Sequence, residues 1–320
     1  MRSIWYAAAV AGLSLVSLPG MAQSQIMYLR GQAVQPTFEG YEDHPDGSHT
    51  LWFGYMNRNH EEQPYIPIGP DNFFSVAESG VGLAQIRQAL ESEGPQASAL
   101  GDRGQPTHFY PRRQTFVFGV DVPADFGDRE LVWAVRRNGE LATAIGKLEP
   151  VWVWNLNPGI YRGIHDPDSP NQAPTMEVIG ATRVTVGVGE PIVLTISVED
   201  DGLPEIPEAR IQRPSSTPMG TEELPIDVPW IHGSSGEPSR QAVVSFGAPR
   251  ETGMAVTWVL YRGPGGADFS PMVSLLDNSG GTATTTARFR AAGTHEVRAF
   301  ADDGLYFGSA VVSVIVEERP

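Results

Sequence analysis

The chain has 320 residues, with 38 Asp and Glu against 22 Lys and Arg, a formal net charge of −16, and no Cys. The acidic balance argues against nucleic acid or anionic lipid as a partner, because binding either normally takes a cationic face. Without Cys there is no disulfide and no lipidated N-terminal thiol, so hydrophobic cores alone must hold the fold.

At the N-terminus, Arg2 precedes an apolar run over 4–18, and Pro19-Gly20-Met21-Ala22 closes it with small residues. This is the pattern of a secretory signal peptide over 1–22, cleaved after Ala22. The run of about 15 residues is shorter than the roughly 20 a spanning helix needs, so no membrane insertion is expected after cleavage. The expected address is periplasmic, cell-surface or extracellular.

High Gly and Pro with short alternating runs indicate an all-β chain. Residues 23–149 read as a first β-sandwich domain, with strands expected at 34–39, 48–57, 65–68, 115–122, 130–137 and 140–148. The last two are joined by Asn138-Gly139, a two-residue hairpin whose turn positions both need positive φ. Leu131, Trp133 and Val135 share one face and Val132, Ala134 and Arg136 the other, which reads as a half-buried sheet. One segment, 81–91, has Leu83, Ile86, Ala89 and Leu90 at helical spacing with Gly94-Pro95 as a stop, and is expected as a short helix inside an inserted loop.

Residues 150–174 form a Pro-rich stretch without periodicity and read as the interdomain linker. Its Trp152, Trp154 and Tyr161 suit either a sugar-stacking platform or packing against the end of the first domain. The second domain is placed at 175–320. Strands are expected at 176–186, 192–199, 256–261, 282–290, 294–301 and 305–316, approaching the seven of an immunoglobulin-like sandwich, with Trp258 as its core tryptophan. The connection at 202–253 is long, carries eight prolines, and includes Trp230 and His232 next to Gly233-Ser234-Ser235-Gly236. Loops of this length are functional or disordered. A further strand is possible at 241–246.

Asn171-Gln172-Ala173-Pro174, Val188-Gly189-Glu190-Pro191, Asp200-Asp201-Gly202, Thr257-Trp258, Arg262-Gly263-Pro264-Gly265, Phe289, Ala292-Gly293-Thr294 and Asp302-Asp303-Gly304 together resemble a PKD-like or cadherin-like immunoglobulin-type module of bacterial exported proteins. In the first half, Phe53-Gly54-Tyr55-Met56-Asn57, Pro67-Ile68-Gly69-Pro70-Asp71-Asn72 and Arg103-Gly104-Gln105-Pro106-Thr107 resemble a β module of uncharacterised bacterial secreted proteins. The resemblance implies two immunoglobulin-like β-sandwich domains in tandem.

The second and sixth strands of such a sandwich run parallel, so the loops after them emerge at one end. Asp200, Asp201, Asp302 and Asp303 are therefore expected as neighbours, forming either solvated turns or a Ca²⁺ site, since that ion takes six to eight oxygen ligands in tolerant geometry. The resemblance to cadherin-like modules adds to the calcium reading. Arg112 and Arg113, beside His108 and Tyr110, form the dense basic and aromatic patch of the first half, suited to a carboxylated sugar or to a solubilising strand edge. Seven His residues are scattered without paired metal spacing. His60-Glu61-Glu62 reads as a solvated loop before it reads as an acid-base group, and the segment after His232 fails the nucleophile-elbow pattern by one residue. No catalytic signature emerges.

The expected function is that of an exported non-catalytic binding or structural module in adhesion or surface assembly, whose partner is another protein or a surface glycan. A carbohydrate-binding accessory is the alternative, and a secreted hydrolase ranks third. Trp230, His232, Arg112 and Arg113 are the candidate binding residues.

Overall fold

A computed structural model describes residues 28–78, 80–92, 100–153, 170–203, 254–303 and 306–318. The leader at 1–22, most of the connection at 202–253 with Trp230, His232 and the strand expected at 241–246, and the linker residues Trp154 and Tyr161 lie outside this range.

The first half is two three-stranded antiparallel sheets packed face to face. One has the order β1-β2-β4, from β1 (Val34–Asp43), β2 (His49–Asn57) and β4 (Arg112–Val122), and the other has the order β3-β5-β6, from β3 (Asn72–Ala77), β5 (Glu130–Arg137) and β6 (Glu140–Gly146). Between them Leu51, Phe53, Tyr55, Phe74, Phe118, Val120, Leu131, Trp133 and Val135 are buried. Their rings meet edge-on or stacked, as with Phe118 and Trp133 at 5.0 Å and Phe53 and Phe74 at 5.3 Å, offset and edge-to-face geometries that satisfy the ring quadrupoles. Asn138 and Gly139 both have positive φ, +52° and +81°, so the two-residue turn matches the twist of β5 and β6.

Three expectations for this half need correction. The strand expected at 65–68 is an isolated bridge of Tyr65 to His108, and the strand lies later, at β3. The β3-β5-β6 sheet is covered on both faces rather than one. Helix α1 (Leu83–Ser92) does not decorate a loop: Ile86 and Leu90 seal Phe73, Val132, Ala134 and Leu141 on the outer face of that sheet.

The second half is a larger sandwich. β8 (Arg183–Gly187), β10 (Ala255–Arg262), β12 (Val273–Leu275), β14 (Gly293–Asp302) and β15 (Phe307–Glu317) form a sheet in the order β12-β10-β14-β15-β8, with β8 parallel to β15. β7 (Thr175–Val178), β9 (Pro191–Glu199), β11 (Ala267–Ser270) and β13 (Gly280–Phe289) form the facing sheet in the order β11-β13-β9-β7. The strand expected over 176–186 divides into β7 and β8, which serve opposite sheets, the manner in which a first immunoglobulin strand closes both edges. Leu194, Ile196, Val198, Val256, Trp258, Leu260, Phe289, Val297, Ala299, Val312 and Val314 make the core. Trp258 is fully buried, and its Nε1 has no hydrogen-bond partner among the described residues.

The two halves share one core. Val259 and Tyr261 of β10 and Phe300 of β14 face away from their own sandwich and join the apolar cluster of the first half. Leu260 N–H donates to Tyr110 Oη at 2.9 Å, and Tyr110 N–H donates to Tyr55 Oη at 2.9 Å, so one line of bonds runs from β10 into the middle of the first sandwich. Tyr261 Oη donates to Gly104 O at 2.6 Å, Thr107 N–H to Tyr261 O at 3.2 Å, and Gly263 N–H to Thr107 Oγ1 at 3.1 Å. Arg262 forms a fork on Asp102 with two bonds of 2.8 Å, and the guanidinium of Arg298 lies 3.5 Å from the centre of the Tyr261 ring. Buried bonds of this kind leave polar groups stranded if the halves part.

Candidate functional site

One end of the second sandwich brings together Asp200, Asp201, Asp302 and Asp303. β9 ends at Glu199 and β14 at Asp302, and Asp302 pairs with Ala255 at the start of β10. Asp200-Asp201-Gly202, the pair Asp302-Asp303, residue 203 where the long connection leaves and residue 254 where it returns all lie at this end. The start of the second half is tied in as well: Asn171 Nδ2 donates to Asp303 Oδ2 at 3.0 Å, and Gln172 N–H donates to Asp201 Oδ2 at 2.7 Å. Asn171 and Gln172 thus span the two acidic segments, one bonded to Asp303 and the other to Asp201.

The four carboxylates have different environments. Asp200 accepts Gly202 N–H at 3.0 Å, and Asp201 accepts Leu203 N–H at 2.8 Å, each closing the local turn that a short acidic side chain favours. Asp303 accepts Tyr306 N–H at 2.6 Å, and both Asp302 and Asp303 are buried. Asn278 Nδ2 donates to Gly202 O at 2.8 Å and fastens the β12–β13 turn to the same end. Asp200 stands apart electrically: burial pushes its carboxyl up to about 6, Gly202 N–H opposes the shift, and the charge of Asp201 adds to it. Its Oδ1 is enclosed without a hydrogen-bond partner among the described residues. Among the described residues, no group of three or more His, Asp or Glu side chains is arranged to hold a metal ion.

The basic and aromatic segment of the first half is built inward. Arg113 reaches from β4 across β2 to β1, where it grips both oxygens of Glu39 at 2.5 and 2.7 Å and donates to Thr37 Oγ1 at 2.5 Å. Gly54 makes this crossing possible, because a Cβ there would collide with Gln114 O and Glu39 Oε1. Arg112, at φ +72°, donates from Nη1 to His60 Nε2 at 2.8 Å. Burial and the Arg112 charge together lower the His60 pKa, which keeps its ring a neutral acceptor. Glu62 pairs with Arg137 and accepts Gly31 N–H at 2.7 Å. Burial alone would raise its pKa, but these donors outweigh burial and the net shift is downward. His108 and Tyr110 are buried. The residues that looked like an external patch thus bond chiefly to their own chain.

The signal that sequence reasoning passed over was continuous burial. Residues 255–261 read Ala-Val-Thr-Trp-Val-Leu-Tyr and are all buried, so β10 has a covered second face. Trp152 is half-exposed and packs on Phe38 at a centroid distance of 6.0 Å. Among the described residues, no helix is long and apolar enough to cross a membrane.

No protein-family model and no curated protein matches the chain. Among solved structures, it is similar to a chimeric titin Z1Z2 at 12% identity, covering 90% of this chain and 100% of that one, with a TM-score of 0.20. It is similar to the D0-D1 domain of Intimin at 10% identity, covering 88% and 97%, with a TM-score of 0.22. It is similar to domains 4 and 5 of the S-layer protein SbsC at 11% identity, covering 89% and 98%, with a TM-score of 0.21. Likenesses this slight carry no argument about family or function, and the all-β, two-sandwich description of the chain rests on its own strand pairing.

Proposed function

We propose that this chain is an exported, non-catalytic binding or structural module that presents one end of a rigid double sandwich to a partner in adhesion or surface assembly. The observation that carries this reading is the convergence at that end: both acidic segments, both stems of the connection 204–253 and the start of the second half meet on one scaffold. Loops positioned by a rigid sandwich are a recurrent binding device. The ionisable groups that suggested acid-base chemistry support the same reading, since His60 is held by Arg112 and Glu62 by Arg137. Within the immunoglobulin-type class, the PKD-like or cadherin-like likeness of the second half belongs to this proposal, as do export and the partner's nature, a protein or a surface glycan.

The test immobilises residues 23–320 and measures capture of whole cells and of soluble surface polysaccharide, beside a variant lacking 204–249. Capture by the full chain and its loss in the shortened chain, with an unchanged melting temperature, is the expected result. Equal capture by both would move the binding surface away from this end, and no capture by either would remove the reading.

A calcium-stiffened form is a second reading, favoured by the enclosed, unpartnered Oδ1 of Asp200 beside Asp201. A ligand held only by the folded state raises the melting midpoint. Melts in EDTA and in millimolar Ca²⁺ decide it: a calcium-dependent rise lost in the double variant Asp201→Asn, Asp303→Asn supports the site, and no rise removes it.

A further inference from the structure

His108 lies at the seam between the halves, and His295 is buried behind it inside the second sandwich, its ring 4.9 Å from that of Phe289. His295, on β14, has Nδ1 3.1 Å from Gly293 O and Nε2 3.1 Å from Pro264 O. Burial lowers the His295 pKa, and the two carbonyls oppose that shift without reversing it. His108, on the first half, has Nε2 2.8 Å from Gln63 Oε1, which accepts, while Nδ1 is buried with no hydrogen-bond partner among the described residues. Its backbone N–H donates to Tyr261 O at 3.3 Å across the seam, and its ring lies edge-on to Tyr110 at 5.0 Å.

We infer that His108 is a proton-sensitive latch: neutral, it lets the two halves close on each other, and protonated, it releases the seam while leaving each sandwich folded. The charges around His108 favour this. From the second half it feels Arg290, which is paired with Asp268 on β11, and His295, whose own pKa burial lowers. From the first half it meets Gln63 and the Tyr110 ring, which are neutral, and Tyr65, whose backbone bridges to it. Asp102 and Glu296 are occupied by Arg262 and Arg298. A proton arriving at Nδ1 therefore meets no hydrogen-bond acceptor among the described residues, and opening the seam to water is its relief.

The pKa of His108 agrees in direction. Burial first, then the charges of His295 and Arg290, pull it down to about 3 in the closed seam, whereas an exposed histidine titrates near 6.5. A group lowered on closure stabilises the closed form above the exposed value, and that contribution is lost as pH falls from there toward 3. The closed-to-open ratio then drops by up to about tenfold per pH unit, on the order of a hundredfold between pH 6.5 and 4.5.

The test is native-state hydrogen exchange of the chain at pH 7.5 and 4.5, corrected for intrinsic exchange, with a ring-proton NMR titration of the histidines. The seam amides of Thr107, Leu260 and Gly263 are expected to lose about a hundredfold of protection at pH 4.5, while the sandwich amides of Ile196 and Thr285 lose far less. In His108→Gln or His108→Phe, that acid-induced loss at the seam should shrink to about that of the sandwich amides. In the intact chain, the His108 ring should show no titration of the closed form near pH 6.5. Titration of the closed form near 6.5, or seam amides with the same pH slope in either folded variant as in the parent chain, would overturn the inference. Because the ring titration needs no substitution, failure of both variants to fold leaves a decisive measurement.

Discussion

β10 and β13 face each other across one sandwich, yet their outer faces have different fates. β10 is apolar at nearly every position, and its outward Val259 and Tyr261 are covered by the first half. β13 alternates: Ala283, Thr285, Ala287 and Phe289 are buried, Thr282 and Thr284 are exposed, and on neighbouring β9 Val193 is exposed too. The difference shows that a strand's second face records its second partner. Alternation marks a face left to water, and an unbroken apolar run marks one that another element must cover. The chain holds two sandwiches, and Val259, Tyr261 and Phe300 give them a shared core.

The largest expected effects come from the two faces of β10. Trp258→Ala, on the inner face, should cost about 3–5 kcal/mol in urea unfolding, and a near-neutral result would detach Trp258 from the core. Tyr261→Ala, on the outer face, should cost about 3 kcal/mol, because it empties a buried site and removes the ring beneath Arg298. A loss below about 1 kcal/mol would mean that the seam is loosely packed.

Arg113→Ala comes next at about 2–3 kcal/mol, since it leaves Glu39, only 9% exposed, as a buried carboxylate without its cation. The double variant with Glu39→Gln should recover part of the loss. Strictly additive costs would show that the pair is not coupled.

Asp200→Asn should act in the opposite sense. The carboxyl of Asp200, raised to about 6, favours the fold when protonated, so its contribution is present below about pH 4 and lost as pH rises through 6. At pH 7 the variant should be more stable by about 1 kcal/mol, after allowance for solvent screening of a partly exposed group. A loss of stability there would mean that the charged form is favoured by partners other than Gly202. The smallest effect belongs to the wet face: Val193→Thr should change stability by less than about 0.5 kcal/mol. A larger cost would reveal a cover on that face too.

Much of the fold was legible because short-range rules governed it. Asn138-Gly139 specified its turn, and the alternation in β9 and β14 specified both faces of those strands. β3 was missed because Asn72-Phe73-Phe74-Ser75 does not alternate. Its sheet is covered on both sides, and Asn72 is buried by bonds to Ile66 O, Pro106 O and Trp133 Nε1. β11 and β12, four and three residues long, are too short to show a period. At the candidate site, the expectation that the acidic segments share an end drew on the strand order of an immunoglobulin-type sandwich. What Arg113 and His108 touch did not, because Glu39 lies 74 positions away in sequence and the His108 cage is assembled from both halves.

Differential scanning calorimetry of residues 23–320 tests the shared core most directly, run on the parent chain and on Tyr261→Ala. One cooperative transition, with calorimetric and van't Hoff enthalpies in agreement and a midpoint lowered as a whole by Tyr261→Ala, is the predicted result. Two separate transitions in the parent chain, one of them unmoved by Tyr261→Ala, would contradict it.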